Sequence, residues 1–318
     1  MAAATCPWCN APRVEEPSCP KCGANYAKAE QIKSQGKAPA PVSPVLPKAV
    51  QQELQVETLL KSGGDSLEGL PQVEDKETEW WYCVAAIPAA LLLGVLFHAM
   101  TPYLQRSFFG MPVHEVGHAA SAWFCGHWAI PTPLWKTPMG AERGFLMPVL
   151  LLAGLGWVIW RAWRAQLTLL ALLGGFLVLV QGYCTLVIPQ KTAVSIIVWG
   201  GDGTGMILAA ALMASFFFGK NTQLYRGSLR WGFLVIGAAA FADMFSTWWA
   251  ARKDFGVIPF GEMEGVGLSD ATRLVDEFNW ATEVMVRRYV TTGVVCLVAL
   301  ALVYAWGVRR AWKERPKR

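Results

Sequence analysis

Apolar and polar positions divide this chain into two unequal parts. Residues 1 to about 78 are polar and contain several prolines, whereas long apolar runs make up most of the remainder. A helix that crosses the hydrocarbon core of a bilayer needs about 20 apolar residues, and seven runs approach or exceed that length. They cover residues 80–99, 108–130, 144–160, 166–188, 193–218, 229–250 and 286–308. The pattern predicts an α-helical polytopic membrane protein with about six to seven membrane segments.

The basic residues around these segments indicate how the chain is oriented. They concentrate in three places, the connection with Arg161 and Arg164, the connection from Lys220 to Arg230, and the tail from Arg309 to Arg318. Short loops rich in Lys and Arg stay in the cytoplasm. A cytoplasmic amino terminus followed by seven full spans would place all three outside.

One early segment is therefore expected not to cross completely. The first candidate is 108–130, which holds Pro112, two histidines, a glutamate and three glycines. A re-entrant helix is tolerated where protein encloses it. The alternative is that the short 144–160 run dips without crossing. Either solution leaves six spans and a cytoplasmic carboxyl terminus.

Composition favours the same location. Hydrophobic residues are 54% of the 318, charged residues are 16% and the mean hydropathy is +0.33, which is too apolar for an ordinary soluble protein. The net charge of +5 is modest and its basic residues are scattered or at segment ends, so we expect no nucleic-acid partner. No secretory signal peptide is expected, because the first apolar run begins near Trp80. We expect an integral protein of the bacterial inner (cell) membrane.

Four of the eight cysteines form two closely spaced pairs near the amino terminus. The pairs are Cys6 with Cys9 and Cys19 with Cys22. Two such units supply four thiolates to a tetrahedral structural zinc ion, whereas the alternative is two disulfides. So short a segment has too small an apolar core to fold without the metal. Reduced thiolates place this zinc ribbon in the cytoplasm.

The same patterns predict the domain boundaries. We expect a zinc ribbon over 1–26, a flexible Pro-rich and acidic linker over 27–78, a membrane domain over 79–310 and a basic cytoplasmic tail over 311–318. Leucines in the linker predict a short amphipathic helix over 49–61.

The segment 108–130 contains the sequence His-Glu-Val-Gly-His at residues 114–118. Residues four apart share a helix face, so His114 and His118 can bind one metal ion. Glu115 lies beside them and is a candidate general base. Ionisable residues at membrane depth are costly and mark functional sites. The motif therefore predicts a catalytic zinc ion in addition to the structural one.

A catalytic zinc ion usually has a third protein ligand. The first candidate is Asp202, which is flanked by four glycines within 200–205 in an apolar segment. Glycines weaken a helix and allow close backbone approach, so this stretch can present a carboxylate, although a hinge with Asp202 bonded to backbone is the alternative. Asp243 is a second candidate ligand. His98 and His127 lie near segment ends, where a histidine needs no metal.

The two motifs together resemble the site-2 protease family of intramembrane zinc metalloproteases. The resemblance covers about residues 108–215 and depends on the His-Glu-Val-Gly-His sequence and the downstream Asp-Gly. It implies that His114, His118 and Asp202 bind the catalytic zinc ion. It also implies that Glu115 activates a zinc-bound water for peptide hydrolysis in or near the membrane. The substrate would be a transmembrane segment of another membrane protein.

Two other classes of function are compatible with these residues. A catalytically inactive membrane scaffold would use the zinc ribbon to bind a protein partner, but a base between two metal ligands is unnecessary there. A metal transporter would repeat His and Asp along several helices, whereas this chain concentrates them in two places. The acidic connection 251–285 is expected to be a solvated external loop, or alternatively a substrate gate. Within it, Ser269 is predicted to cap a short helix that begins at Asp270.

Overall fold

The computed structural model describes residues 5–7, 9–15, 17–34, 76–132, 136–218, 228–263 and 267–314. This part of the chain is about 75% helical. It belongs to two compact units, Met1–Val73 and Glu74–Arg318. The amphipathic helix expected over 49–61, and most of the predicted linker, lie outside the described residues.

Eleven α-helices are present in the described residues. They are α1 (Tyr26–Ser34), α2 (Lys76–Met100), α3 (Pro102–Gln105), α4 (Met111–Phe124), α5 (Leu146–Arg164), α6 (Thr168–Gly182), α7 (Gln190–Gly200), α8 (Asp202–Ala214), α9 (Leu229–Ala251), α10 (Asp270–Asp276) and α11 (Thr282–Glu314). Two π-helical turns, Arg106–Gly110 and Tyr183–Val187, precede α4 and follow α6. Short 3-10 turns occur at Ser215–Phe217 and Phe255–Val257, and a two-stranded antiparallel hairpin joins β1 (Glu262–Met263) to β2 (Gly267–Leu268).

Five of these helical stretches are long and apolar enough to cross a membrane. They are Glu79–Met100, Leu146–Arg164, Thr168–Val187, Leu229–Ala251 and Thr282–Glu314. A sixth candidate span consists of α7 and α8 together, which meet at an angle of 53°. These helices are compatible with the predicted helical membrane protein.

The predicted segment 108–130 contains no candidate span. Its helix, α4, continues without a break from the π turn before it, so the limit is not length but polarity, because His114, Glu115 and His118 interrupt the apolar side chains. The alternative segment, 144–160, contains α5, whose 19 residues are enough to cross. Of the two ways to reach six spans, the structure therefore favours the one in which 108–130 does not cross.

Helix α9 is the centre of the membrane unit. It packs against α2, α8 and α11, and α4 packs on the other side of α8 and on α7. Large side chains such as Met206, Phe241, Met244 and Tyr289 fill the space between these helices and are almost inaccessible. Helices α5 and α6 pack mainly on each other and leave most of their apolar side chains exposed, as a lipid-facing pair would. The arrangement encloses the middle of α4 and the junction of α7 with α8.

The packing of α8 on α9 depends on a glycine. A Cβ atom at Gly237 would lie 2.6 Å from the backbone oxygen of Ala209, whereas one at Gly232 on the same helix would meet nothing within 4 Å. Backbone cannot yield as a flexible side chain does, so α8 and α9 would have to separate.

We expect Gly237→Ala to destabilise the membrane unit by about 1–3 kcal/mol. Gly232→Ala is the control, and it should be neutral or slightly stabilising because alanine favours helix by up to about 1 kcal/mol. Thermal unfolding of both variants in detergent measures the difference. Equal melting temperatures for the two variants would contradict the assigned contact.

Candidate metal centres

The first candidate centre consists of the two cysteine pairs, each of which lies in a tight turn. In the first turn the N–H of Cys6 donates to the oxygen of Ala11, and in the second the N–H of Cys19 donates to that of Ala24. The residue after each pair, Asn10 or Gly23, has a positive φ of 57° or 71°. Asparagine and glycine tolerate this left-handed conformation best, which explains their place after each pair.

The two turns bring the four sulfur atoms together. The sulfurs of Cys6 and Cys22 are 3.7 Å apart, as are those of Cys9 and Cys19, and all four ligand atoms lie within 4.8 Å of one another. The thiols are free, so this geometry corresponds to the predicted four-thiolate group and not to two disulfides. Such a group could hold a metal ion, and zinc is the ion that four thiolates in a tetrahedron most often bind.

The electrostatics of the cluster favour a thiolate. Burial raises the pKa of the Cys19 thiol, but hydrogen bonds from the backbone of Cys22 and Lys21, and then from neighbouring thiols, outweigh it and lower the pKa to about 6. In contrast, a backbone hydrogen bond at Ala24 lowers the pKa of Cys22, but burial and the neighbouring sulfurs together outweigh it and raise the pKa to about 12. One thiolate is therefore present near neutral pH to receive a cation.

Replacement of one of these cysteines should remove one metal ion from the chain. We expect Cys19→Ser to lower the zinc content of the purified protein by about one ion per chain, because serine is a poor zinc ligand. The control is Cys296→Ser, which changes a buried cysteine of α11 that belongs to no such group. Elemental analysis of both variants measures the loss, and an unchanged zinc content in Cys19→Ser would exclude this site.

The second candidate centre begins with the two histidines of α4. Their imidazoles lie on one face of the helix, as predicted, and their Nε2 atoms are 3.0 Å apart. The Oδ2 atom of Asp270 lies 3.0 Å from Nε2 of His114 and 2.9 Å from Nε2 of His118. An ion about 2.0–2.1 Å from three such atoms would sit only about 1 Å out of their plane. These three residues form a group that could hold a metal ion.

Asp270 occupies the position that the sequence analysis assigned to Asp202. It is the first residue of α10, whose amino terminus is capped by Ser269 as predicted, with the Ser269 hydroxyl accepting from the N–H of Thr272. Burial raises the pKa of the Asp270 carboxyl, but the imidazoles of His118 and His114 outweigh it and hold the pKa well below its usual range. The group that meets both Nε2 atoms is therefore an ionised carboxylate.

Asp202 lies on the other side of the His114 ring. Its Oδ1 atom is 2.7 Å from Nδ1 of His114, and its Oδ2 atom accepts a hydrogen bond of 2.8 Å from the indole N–H of Trp248. A carboxylate in this place orients an imidazole and increases its basicity. The structure thus differs from the prediction. The break in the helix directs Asp202 at Nδ1 of His114, which faces away from the two neighbouring Nε2 atoms.

The hydrogen bonds of the two imidazoles determine where their lone pairs point. Nδ1 of His118 lies 2.7 Å from the carbonyl oxygen of Ile197, and Nδ1 of His114 lies against the Asp202 carboxylate. Both oxygens only accept, and the Asp202 oxygen is closer to Nδ1 of His114 than the Arg106 nitrogen at 3.4 Å, so both Nδ1 atoms carry the proton. When the rings are neutral, the Nε2 lone pairs point at each other and at Asp270. Three such acceptors within about 3 Å repel one another unless a proton or a bound cation lies between them.

Arg106, at the start of the first π turn, neutralises part of the acidic surroundings. One of its nitrogens donates to Asp202 at 3.0 Å and to Asp243 at 3.1 Å. Asp243, the alternative third ligand of the sequence analysis, is held here and is not a member of the metal-binding group. His98 lies 3.5 Å from the same carboxylate.

His127 also lies apart from this group, as its place near a segment end suggested. Its Nδ1 atom is 2.9 Å from the backbone oxygen of Gly140, in the connection between α4 and α5.

Glycines allow α4 to reach the junction of α7 and α8. A Cβ atom at Gly117 would lie 2.5 Å from the backbone oxygen of Gly200. A Cβ atom at Gly201 would lie 2.7 Å from the Nε2 atoms of His114 and His118. Both positions therefore exclude a side chain. The Ser121 hydroxyl of α4 is hydrogen-bonded to the Thr204 hydroxyl of α8 at 2.7 Å, which adds a polar contact between the same two helices.

Glu115, the residue after His114, is buried. The hydroxyl of Thr137 donates to its Oε2 atom at 2.7 Å and to its backbone oxygen at 3.0 Å. In the described residues no hydrogen bond involves the other oxygen, Oε1. One oxygen is thus fixed while the other remains available to a proton, which is what a general base requires.

Comparison with known proteins adds nothing to this geometry: no family model, no curated protein and no solved structure matches the chain.

The positions of the carboxylates lead to a test of the third ligand. We expect Asp270→Asn to abolish metal binding at the imidazole pair, because an amide is a poor zinc ligand. Asp202→Asn should weaken affinity by about 10–100-fold without abolishing it, which is the usual effect of losing an orienting partner. Asp243→Asn is the matched control and should leave affinity nearly unchanged.

Zinc titration of the three variants, with the ribbon cysteines replaced by serine, measures these affinities. The opposite order, with binding lost in Asp202→Asn and kept in Asp270→Asn, would return the ligand role to Asp202.

Proposed function

We propose that this protein is an intramembrane zinc metalloprotease, which hydrolyses a peptide bond in or near a transmembrane segment of a membrane-protein substrate. The observation that carries the proposal is the convergence of two imidazole Nε2 atoms and one carboxylate oxygen within 3.0 Å, with Glu115 next to His114. Two nitrogens and one oxygen are a common ligand set of catalytic zinc ions, which keep a further position open. The resemblance to site-2 proteases supports the same activity.

The residues present fit a zinc ion, and the chemistry follows from their placement. Zinc bound by His114, His118 and Asp270 would supply a Lewis acid that polarises a carbonyl and acidifies water. The carboxylate of Glu115, steadied by Thr137, would accept a proton at Oε1 from the attacking water and pass it to the leaving amine. Asp202 would keep the His114 ring in the required tautomer and orientation.

The substrate must lose helical structure before it can react. The carbonyl groups of an intact transmembrane helix are hydrogen-bonded and inaccessible, so a substrate segment would unwind at the site. We also propose the topology in which the ribbon and the carboxyl terminus are cytoplasmic, because it puts the three basic connections on the cytoplasmic side. In that topology the connections carrying Thr137 and Asp270 lie on the opposite side.

The first test is the zinc content of the chain with its four ribbon cysteines replaced. We expect about one ion per chain, and none after the further change His114→Ala. If the chain with its four ribbon cysteines replaced is folded but holds no zinc, the proposal of a protease is refuted. The scaffold that binds a partner through its ribbon would then be the better proposal.

The second test separates catalysis from metal binding. We expect Glu115→Gln to keep its zinc and to lose activity by about 10²–10⁴-fold, the usual contribution of a general base. The control is Glu142→Gln, an exposed glutamate on the connection between α4 and α5. New protein termini within apolar segments, mapped by mass spectrometry in cells that express each variant, give the readout.

Termini that appear with the wild type and with Glu142→Gln, but not with Glu115→Gln, are the expected result. An identical set of termini for all three chains would show that the metal centre is not proteolytic.

A further inference from the structure

A cavity of about 790 Å³ lies between the beginning of α7 and the first turns of α11. None of the three candidate zinc ligands lines it. Its walls combine basic, hydroxyl and aromatic side chains, with Lys191 and Thr192 on α7, Arg287, Arg288 and Thr291 on α11, and Trp280 between the two helices. Nothing in the proposed metal centre accounts for this composition.

The cationic side chains of the cavity have no acidic partner in the part of the chain that the structure describes. Lys191, Arg287 and Arg288 are all exposed, and none forms an ion pair with any carboxylate of the described chain. Glu283 lies one turn before Arg287, yet the two do not pair. The guanidinium of Arg288 stacks on the ring of Trp280 at 4.0 Å, which fixes its position at the rim. Three positive charges around one cavity attract an anion.

Hydroxyl groups of the same cavity are available as further donors. Those of Thr192 and Thr291 make no hydrogen bond to any described residue. The hydroxyls of Ser195 and Thr292, in contrast, already donate to backbone oxygens within their own helices. Cations with nearby hydroxyl donors are the groups that recognise phosphate oxygens.

An apolar surface continues from the cavity along α11. Val295, Val298 and Leu302 follow Thr291 at helical spacing and are 61%, 55% and 69% exposed. Residues at this spacing share one face of a helix, so the basic cavity and the apolar stripe form one continuous surface. The stripe begins one turn beyond the hydroxyls and runs toward the middle of the span. A soluble anion would make no use of it.

We propose that this surface binds one anionic phospholipid. Lys191, Arg287 and Arg288 contact its phosphate, the threonine hydroxyls contact its headgroup, and an acyl chain lies along Val295, Val298 and Leu302. Charge complementarity selects an anionic headgroup over a zwitterionic one, because the three cations meet no carboxylate of the described residues and a choline group would add a fourth positive charge. This site is independent of the proposed protease activity and of either metal centre.

The test compares lipid retention by the purified full-length chain. Native mass spectrometry follows titrations with dioleoyl phosphatidylglycerol and with dioleoyl phosphatidylcholine, and a parallel titration adds inorganic phosphate as competitor. We expect one phosphatidylglycerol to bind at least about tenfold more tightly than phosphatidylcholine, and phosphate not to displace it. The triple variant Lys191→Gln, Arg287→Gln, Arg288→Gln should lose about 100-fold in affinity, at roughly fivefold for each charge.

A matched variant removes the same charge from the other end of α11. Arg309→Gln, Arg310→Gln and Lys313→Gln together should leave the tight phosphatidylglycerol site unchanged. Equal affinities for the two lipids, displacement by phosphate, or undiminished binding by the cavity variant would each overturn the proposal. If the triple variant does not fold, Arg287→Gln alone carries the test, with an expected loss of about fivefold.

Discussion

The contact between α4 and the junction of α7 with α8 is the constraint on which the second centre depends. Gly117 meets the backbone of Gly200 so closely that neither helix can carry a side chain there. That approach places both imidazoles over Gly201, where the helix bends by 53° before Asp202. The bend also exposes the backbone oxygen of Ile197 to the second histidine. Close packing of backbone therefore sets the position of the imidazoles, and the polar contacts then set their orientation.

Charge balance is the second requirement of this region. Asp202, Asp243 and Asp270 are three carboxylates that share Arg106 or His114 as neighbours, and Arg106 is a permanent cation that contacts two of them. Burial of an uncompensated charge is expensive, so such a cluster is stable only when each member has a partner. Arg106 and Trp248 donate hydrogen bonds to Asp202, and Thr137 donates one to Glu115. Asp270 faces the Nε2 atoms of both imidazoles, and a divalent cation would satisfy all three.

Local patterns predicted the parts of this structure that depend on short stretches of chain. The cysteine pairs, the two histidines on one face, the weak helix around Asp202 and the cap at Ser269 each follow from residues within about one or two turns. Charge asymmetry pointed to one incomplete crossing, and the absence of a candidate span within 108–130 agrees with the first choice of segment. The third member of the metal group could not be found in this way. Asp270 is 152 residues from His118 in a connection whose acidic composition resembles that of any solvated loop.

The residues that support the site were missed for a related reason. Arg106, Thr137 and Trp248 belong to three different segments, and only the packing of α9 against α8 brings Trp248 to Asp202. Asp202 itself was recognised as unusual, but periodicity could not decide which nitrogen of His114 it would meet. The glycines around it were expected to allow close backbone approach, but the sequence did not show that α4 would be the element that approaches them.

The distance along the chain between α4 and α10 has a mechanical consequence. An ion shared by His114, His118 and Asp270 would act as a cross-link that closes a loop of about 150 residues, and the entropy of closing so long a loop grows only slowly with its length. The short helix α10, with seven residues, would then be fastened by its first residue to the interior of the membrane unit. Release of the ion would loosen the connection after α9 first, while the glycine contacts between the long helices would keep the rest of the unit assembled.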